Sequence, residues 1–258
     1  MLRSSEHERG QGWPKGDAAT LEELDSEQDL GPAEPAATEI WETIAQPGLT
    51  NTIRRICTLS GCTGAQNGAT RSLAIVSAQE GEGKSTIAQA VAIAAAADTD
   101  DSVLLVECEL LTPTLADDLE LPAGPGLGEV LSGEDIAADL VRCLRPTGLH
   151  NLWVLPAGAA RDNPSRLLRS AKMEELLLYA KRRFALVVLD LPAVLKNNES
   201  AVLARLADAV VLVIRARATE QRTVRQALWL LSGATVRGVV LNRAQQVVPG
   251  LIRRVIGD

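Results

Sequence analysis

The feature that most constrains the fold is a series of short apolar runs that alternate with longer segments of helical periodicity. Runs such as SLAIVSA, SVLLVEC and FALVVLD are apolar along their length and rich in β-branched residues. Strands of this kind are buried on both faces, which is typical of a parallel sheet covered by helices. The alternation therefore predicts a doubly wound α/β domain with a mostly parallel sheet. The predicted strands span residues 72–78, 102–108, 151–157, 184–190, 209–215 and 236–242, and the predicted helices span 84–98, 134–145, 164–183, 199–208 and 219–233.

The first predicted strand leads directly into a glycine-rich loop, SAQEGEGKST, which opens the first predicted helix. Gly83, Lys84 and Ser85 match the end of the phosphate loop G-x-x-x-x-G-K-[ST], while Ala78 replaces its first glycine. Glycines let backbone N–H groups surround phosphate oxygens, and the helix presents its positive N-terminus to an anion. A glycine-rich turn before an ordinary helix is the alternative, but the position after a buried strand favours nucleotide binding. The candidate nucleotide-binding residues of this loop are Glu80, Gly81, Glu82, Gly83, Lys84, Ser85 and Thr86.

Carboxylates stand at the ends of two further predicted strands. Asp190 ends FALVVLD, the usual position of a Walker B aspartate that orients Mg²⁺ or its water. Glu107 and Glu109 end the second strand, and period-two alternation predicts that both point toward the site. A solvated charge at a strand end is the alternative for Glu107. The candidate metal ligands are Ser85, Glu107 and Asp190, and the candidate catalytic residues are Lys84, Glu107, Glu109 and Asp190.

The acidic charge of the chain is concentrated near its N-terminus. The net charge is −7, yet the chain from residue 71 onward is almost neutral, which argues against electrostatic capture of nucleic acid. Residues 1–45 are rich in Gly, Pro, Glu, Asp and Ser, and we expect an acidic tail that is largely disordered. Residues 46–70 are expected to form a short linker of helix and loop, with the Pro-Gly pair at 47–48 breaking the helical pattern. The nucleotide-binding domain would then span residues 71–258.

Neither a zinc site nor a membrane span has support in the sequence. The four cysteines form no CxxC pair, and the chain has only two histidines. The longest apolar run, IAQAVAIAAAA, is too short to span a bilayer, and the N-terminus lacks the apolar core of a signal peptide. We therefore expect a cytoplasmic protein.

Several motifs resemble those of one family and occur in the same order. The loop SAQEGEGKST is similar to S-x-x-P-G-E-G-K-S-T, and ECELLTP is similar to the second motif D-x-D-x-R-x-P. The segments GLGEVLSGE, LPAGAARDNPSRLLRS and VVLDLPAV are similar to G-L-s-x-v-L-x-G, l-P-a-G-x-x-p-x-N-P-x-e-L-L and the Walker B motif D-x-P-P. On these residues the chain from about 70 to 245 resembles the bacterial tyrosine kinases (BY-kinases) of capsule and exopolysaccharide synthesis. These belong to the MinD/ParA-like branch of P-loop ATPases.

The resemblance implies a site for ATP and Mg²⁺ and a tyrosine-kinase activity. In such proteins Lys84 and Ser85 would bind ATP and Mg²⁺, and the second-motif carboxylates would assist the metal or accept the proton of a tyrosine hydroxyl. Asn242 and Arg243 would contact adenine, with a turn cap as the alternative for Asn242. The family also implies a protein tyrosine substrate, a membrane-embedded polysaccharide co-polymerase or adaptor as partner, homo-oligomers, and a location at the inner face of the plasma membrane.

The chain departs from the family pattern at several positions. Glu107 and Glu109 stand where the family has aspartates, and Leu111 replaces the usual basic residue. The added methylene moves each carboxylate by about 1.5 Å, and a misplacement on that scale costs on the order of 10²-fold in rate. Glu199 replaces the aspartate that follows Walker B, and Tyr179 is the only tyrosine, so the sequence has no tyrosine cluster near its C-terminus. The E-x-x-R-x-x-R pattern associated with ring assembly is not found either.

Two alternatives to a kinase are kept. One is an ATP-gated regulator of the polysaccharide machinery, and the other is a MinD/ParA-like positioning or partitioning ATPase. A basic amphipathic C-terminal helix would favour the second, and GLIRRVIGD, with Arg253 and Arg254, is its candidate. Gln79 stands at the signature-lysine position of that branch and therefore favours the BY-kinases, while Glu80 replaces their loop proline. A nucleotide-free paralogue is disfavoured by the intact Lys84-Ser85 pair.

Overall fold

The computed structural model describes residues 47–61, 71–159 and 163–244. The predicted disordered tail at 1–45 and the candidate amphipathic segment around Arg253 lie outside these ranges. The domain boundary placed at residue 71 remains a prediction.

The strands of the described residues form one seven-stranded sheet. They are β1 (Ser72–Ser77), β2 (Val103–Glu107), β3 (Arg145–Pro146), β4 (Leu152–Leu155), β5 (Leu186–Asp190), β6 (Ala209–Arg215) and β7 (Val236–Asn242). Their order in the sheet is β3-β4-β2-β5-β1-β6-β7, and all neighbouring pairs are parallel except β3 and β4. The six predicted strands are confirmed. The seventh, β3, has only two residues and is too short for a periodic pattern to predict.

Side chains along the central strands alternate between two apolar clusters, one on each face of the sheet. In β1, Ala74 and Val76 belong to one cluster, whereas Leu73 and Ile75 belong to the other. Every residue of β1, β2 and β5 is buried. Burial on both faces is the physical reason that the sequence shows continuous apolar runs. It also confirms the predicted doubly wound α/β architecture.

Helices cover both faces of the sheet. They are α1 (Pro47–Ser60), α2 (Lys84–Asp98), α3 (Leu115–Asp118), α4 (Leu127–Ser132), α5 (Ile136–Cys143), α6 (Pro164–Leu168), α7 (Ala171–Arg183), α8 (Asn198–Leu206) and α9 (Gln221–Leu230). The buried apolar side chains of α1, α2 and α3 join one cluster, and those of α4 to α9 join the other. None of the helices in the described ranges is long and apolar enough to cross a bilayer.

Four of the five predicted helices differ from the structure in their boundaries, 199–208 and 219–233 by three residues at most at either end. The segment 164–183 was predicted as one helix but forms α6 and α7, separated by an extended residue, Ser170. The hydroxyl of Ser170 donates to the Leu167 carbonyl at 2.7 Å, so the side chain satisfies a backbone group at the end of α6. Helix α5 begins two residues later than predicted because the Asp135 carboxylate caps it by accepting two backbone N–H bonds.

Helix α1 packs against α2 on one face of the sheet. Pro47 is its first residue, a position where the fixed backbone angle of proline is tolerated, so the Pro-Gly pair begins the described helix. Ile53, Ile56 and Cys57 are buried in the same apolar cluster as α2. The Arg54 guanidinium also donates to Asp98, the last residue of α2, at 3.0 Å. This helix therefore contributes to the packing around the sheet.

Candidate functional site

The candidate site lies at the carboxyl ends of β1, β2 and β5. Strand β5 is the neighbour of both other strands, so Asp190 pairs with Ile75 on one side and with Glu107 on the other. The glycine-rich loop follows β1 and leads into α2, whose first residue is Lys84. Because the carboxyl ends of parallel strands meet at one edge of a sheet, the fold brings the loop, Glu107 and Asp190 together.

Two glycines give the loop a backbone shape that other residues rarely adopt. Gly81 has a φ of +73°, and Gly83, which directly precedes α2, has a φ of +90°. A Cβ at Gly83 would lie 2.2 Å from the side-chain nitrogen of Asn242, whereas nothing lies within 4 Å of a Cβ at Gly81. Gly81 is therefore required by backbone conformation, and Gly83 by both conformation and the close approach of Asn242.

Gly83→Ala is expected to destabilise the protein more than Gly81→Ala does. Both substitutions place a Cβ in the left-handed region, which lowers the free energy of unfolding by about 1–2 kcal/mol. Gly83→Ala adds the clash with Asn242, so we expect a further loss of about 1 kcal/mol or more. Urea unfolding of the two variants measures the difference. Equal free energies of unfolding would show that Asn242 moves aside without cost.

Glu82 is buried in the loop, and its carboxylate braces the loop against the rest of the domain. One oxygen accepts the Gln79 N–H at 2.7 Å, and the other accepts the Arg215 N–H at 3.3 Å and the Thr219 hydroxyl. The Asn242 side chain donates to the Glu82 carbonyl oxygen at 2.8 Å. The side chain of Glu82 thus contacts the protein and shapes the loop. Its role in nucleotide binding stays a prediction.

Asp190 is the buried carboxylate beside the first turn of α2. Only 1% of its surface is exposed. The Ser85 hydroxyl hydrogen-bonds to it, and the Lys84 ammonium lies 3.3 Å from the Ser85 oxygen. Burial raises the pKa of Asp190 to about 6, and the charges of Glu107 and Glu109 raise it as well, whereas Lys84 and Ser85 lower it. This carboxyl is therefore ionised at neutral pH against an unfavourable environment.

The oxygen donors at Asp190 and Ser85 fit a magnesium ion. Within the described part of the chain, Oδ1 of Asp190 is buried without a hydrogen-bond partner. A buried anionic oxygen without a partner is costly, which points to a cation at this position. Carboxylate and hydroxyl oxygens are ligands that Mg²⁺ accepts. Among the same residues no group of three or more His, Cys, Asp or Glu side chains could hold a metal. Mg²⁺ bound with a nucleotide generally takes one or two protein ligands together with phosphate oxygens and water.

Asp190→Asn is expected to change how stability depends on pH. Because the folded protein raises the pKa of this carboxyl from 3.8 to about 6, the folded state binds more protons than the unfolded state in this range. Wild-type stability should therefore fall as the pH rises from about 4 to about 6. The asparagine variant lacks this loss, so it should gain on the order of 1–3 kcal/mol relative to wild type between pH 4 and pH 7.5. Urea unfolding in EDTA without nucleotide tests this, and a pH-independent difference between the two proteins would contradict it.

Glu107 uses both carboxylate oxygens to hold backbone groups. One oxygen accepts the N–H groups of Thr114 and Leu115 at 2.7 and 2.8 Å, and the other accepts the Ala157 N–H at 3.0 Å. The residue is 2% exposed. Glu107 therefore joins the end of β2 to the start of α3 and to the segment after β4. The solvated charge kept as an alternative for this residue does not describe it.

Glu109 lies beyond the end of β2, which stops at Glu107. Period-two alternation therefore does not determine its direction. One of its oxygens accepts the Leu111 N–H at 3.3 Å. Glu109 also lines a crevice together with Ser165, Pro192 and Glu199. It differs from Glu107 in having fewer bonds to the backbone.

The remaining predicted residues surround the loop. Asn242 ends β7 and engages two backbone groups, since its amide nitrogen donates to Glu82 and its oxygen accepts the Arg243 N–H at 2.8 Å. These bonds agree with the turn-cap alternative. Arg243 and Thr86 are exposed. Glu80 is exposed and forms an ion pair with Lys196.

Sequence reasoning did not identify two residues that contact the loop. Thr219 binds Glu82 and lies just before α9, and Lys196 binds Glu80 from the turn after β5. Both stand shortly after predicted strands that end at the same edge as the loop. Their position after those strands was the signal that could have indicated them.

A phosphate loop between β1 and α2, with an aspartate at the end of the adjacent strand β5, defines a P-loop nucleotide-binding α/β protein. The fold agrees with that of the cell-division ATPase MinD of Pyrococcus furiosus, with a TM-score of 0.56 and 24% identity over 72% of this chain and 79% of that chain. At this identity the likeness concerns the fold alone.

Sequence relatives define the family more narrowly. The chain is 32% identical to the tyrosine-protein kinase YwqD of Bacillus subtilis over 174 residues, which are 67% of this chain and 72% of YwqD. The kinase domain of VpsO superposes with a TM-score of 0.64 at 30% identity, covering 76% of this chain and 99% of that domain. The chain therefore belongs to the bacterial tyrosine-kinase family. It is also 30% identical to the tyrosine-protein kinase Wzc of Salmonella typhimurium, over 56% of this chain, but spans only 20% of Wzc. No family model matches the chain.

Proposed function

We propose that this protein binds ATP with Mg²⁺ and transfers the terminal phosphoryl group to a tyrosine hydroxyl of a protein. The observation that carries this proposal is the arrangement of Lys84 and Ser85 beside Asp190, a buried carboxylate whose Oδ1 has no hydrogen-bond partner in the described residues. The relatives named tyrosine-protein kinases support the choice of tyrosine as the acceptor.

The residues of the loop would bind and orient the phosphates. Gly81 and Gly83 give the loop a backbone shape in which N–H groups would approach phosphate oxygens, and α2 adds the positive end of its dipole. Lys84 would offset charge on the terminal phosphates, while Ser85 and Asp190 would hold Mg²⁺. When bound, ATP and Mg²⁺ supply the phosphoryl group and neutralise the charge that develops on it.

Of the two second-motif glutamates, we assign the role of general base to Glu109. Glu107 already accepts three backbone N–H bonds, so removing a proton from a substrate would compete with its contacts. Glu107 would instead position the segment that follows β2. Glu109 would accept the proton of the tyrosine hydroxyl. The tyrosine oxygen would form the new bond to the terminal phosphorus as the bond from that phosphorus to ADP breaks and ADP leaves.

The biological setting follows from the family resemblance. We propose that the protein acts in capsule or exopolysaccharide synthesis at the inner face of the plasma membrane. Its partner would be a membrane-embedded polysaccharide co-polymerase or adaptor, and it would form homo-oligomers. The MinD/ParA-like alternative is supported by likeness of fold alone, and its discriminating segment around Arg253 lies outside the described residues.

The proposal is tested by incubating the purified protein with γ-labelled ATP and Mg²⁺, with and without a tyrosine-containing peptide. Lys84→Ala provides the blank, and Tyr179→Phe separates labelling of the chain itself from labelling of the peptide. We expect label on the peptide that disappears in the blank. Measurable ATP binding without any transferred label would instead support the ATP-gated regulator.

A further inference from the structure

The turn that follows β5 is held against the phosphate loop by backbone hydrogen bonds. The Val194 N–H donates to the Ser77 carbonyl at 2.9 Å, and the Leu195 N–H donates to the Ala78 carbonyl at 3.3 Å. These bonds fix the next residue, Lys196, beside the loop. Its position therefore depends on the fold and not only on a flexible side chain.

The Lys196 ammonium forms an ion pair with Glu80 of the loop. Both side chains are largely in solvent, with 44% and 56% of their surfaces exposed. Exposed ion pairs contribute little to stability because water screens them. Stabilisation of the fold therefore does not account for an ion pair at this position beside the loop.

The charge around the loop gives that explanation. Glu80, Glu109 and Asp190 are carboxylates at the edge where a nucleotide triphosphate, itself strongly anionic, would bind. Lys84 is one cation facing them, and Lys196 is another. The pKa of Lys196 is raised, chiefly by its hydrogen bond to Glu80 and also by the charge of Glu109. The lysine thus lies within the electrostatic reach of both the loop and the second motif.

We propose that Lys196 is a second phosphate-binding cation, which Glu80 holds at the mouth of the loop and releases to the terminal phosphate of a nucleoside triphosphate. This inference rests on the proposed nucleotide site. The glycine-rich loop and the N-terminus of α2 would face the inner phosphates, and Asp190 with its Mg²⁺ would face the terminal one. Lys196 belongs to the segment that follows Asp190 and is paired with the loop, so we place it near the terminal phosphate, where it would distinguish triphosphate from diphosphate.

Four variants test this role by calorimetric titration with ATP and with ADP in the presence of Mg²⁺. They are Lys196→Ala, Glu80→Gln, the double variant, and Arg54→Ala as the matched control. Arg54→Ala breaks an exposed ion pair with Asp98 at the opposite end of α2 from the loop. Thermal unfolding of each variant establishes that it is folded.

Lys196→Ala should weaken ATP binding about tenfold and ADP binding about twofold at most, as expected for one charge-assisted contact with the terminal phosphate. Glu80→Gln should strengthen ATP binding a fewfold, because it removes a negative charge and frees the lysine. The double variant should keep the tenfold loss relative to Glu80→Gln, and Arg54→Ala should match wild type.

Three results would overturn the role of Lys196 while leaving the nucleotide site intact. They are unchanged ATP affinity in Lys196→Ala, equal losses for ATP and ADP, or full recovery in the double variant, which would mean that the lysine only neutralises Glu80. Failure of wild type to bind either nucleotide would overturn the proposed function itself, and the role of Lys196 with it.

Discussion

Lys84→Ala is expected to lower the affinity for ATP by on the order of 10²–10³-fold while the protein stays folded, because the variant loses a charge at the centre of the phosphate site. The lysine is only half-buried, so its truncation should have a modest effect on stability. Since Lys84 lowers the pKa of Asp190, its loss should also raise the pKa of that carboxyl above the wild-type value of about 6. Calorimetric titration with ATP and Mg²⁺ measures the affinity.

A lysine near the amino ends of β1 and β6, at the end of these strands opposite the loop, supplies the control for Lys84→Ala. Lys181 pairs with Asp208 at 2.6 Å, and Asp208 accepts the N–H of Ser72 at the start of β1. Lys181→Ala removes the same charge away from the loop, so ATP affinity should remain within about twofold of wild type. If both variants lost affinity equally, the effect would come from net charge and not from the loop.

Glu107→Ala is expected to be among the most destabilising substitutions in the domain, with a loss of about 3–5 kcal/mol in the free energy of unfolding. The alanine would leave three backbone N–H groups without their acceptor, those of Thr114, Leu115 and Ala157. Glu107→Gln keeps one side-chain oxygen that can accept the N–H groups of Thr114 and Leu115. This variant should therefore lose less free energy of unfolding than Glu107→Ala. Urea unfolding at pH 7.5 without nucleotide measures both losses.

Glu109→Ala is the comparison that separates structure from chemistry at the second motif. Its described backbone bond is the 3.3 Å contact with Leu111, so the variant should lose at most about 1 kcal/mol of stability. It should nevertheless lose phosphoryl transfer if Glu109 is the general base. If Glu107→Ala had the same free energy of unfolding as wild type, Glu107 would not have the structural role assigned to it. If Glu109→Ala transferred phosphoryl groups as fast as wild type, Glu109 would not be the general base.

Much of the fold could be predicted because burial on both faces of a strand leaves a strong mark on the sequence. Apolar runs indicated the approximate positions of six strands, although β7 lies at the edge of the sheet and alternates between half-buried and exposed residues, and the intervening periodicity indicated the helices. Strand β3 and the short helices α3 and α4 have too few residues to show a period. The break between α6 and α7 depends on the local bond from Ser170 to Leu167, which competes with helix continuation in a way that periodicity does not report.

The site was harder to predict because a residue type fixes its chemistry but not its neighbours. The motif placed Lys84 and Ser85 beside a strand-end aspartate, and the structure brings them together. The strand-end pattern made Glu107 a candidate metal ligand, which stays a prediction, but it did not indicate that the oxygens of Glu107 accept backbone N–H groups of residues 114, 115 and 157. Contacts between segments so distant in the chain arise from tertiary structure, and a single sequence contains no direct signal for them.

The buried carboxylate of Glu82 has a consequence for the thermodynamics of nucleotide binding. It connects Gln79 within the loop to Arg215 at the end of β6 and to Thr219 beyond that strand, so the loop backbone is already fixed in the free protein. A loop that must order itself loses conformational entropy when its ligand arrives, and that loss subtracts from affinity. Here the entropy of the loop is lost during folding. The free energy of the phosphate contacts therefore contributes to nucleotide binding with little loss for ordering the loop that makes them.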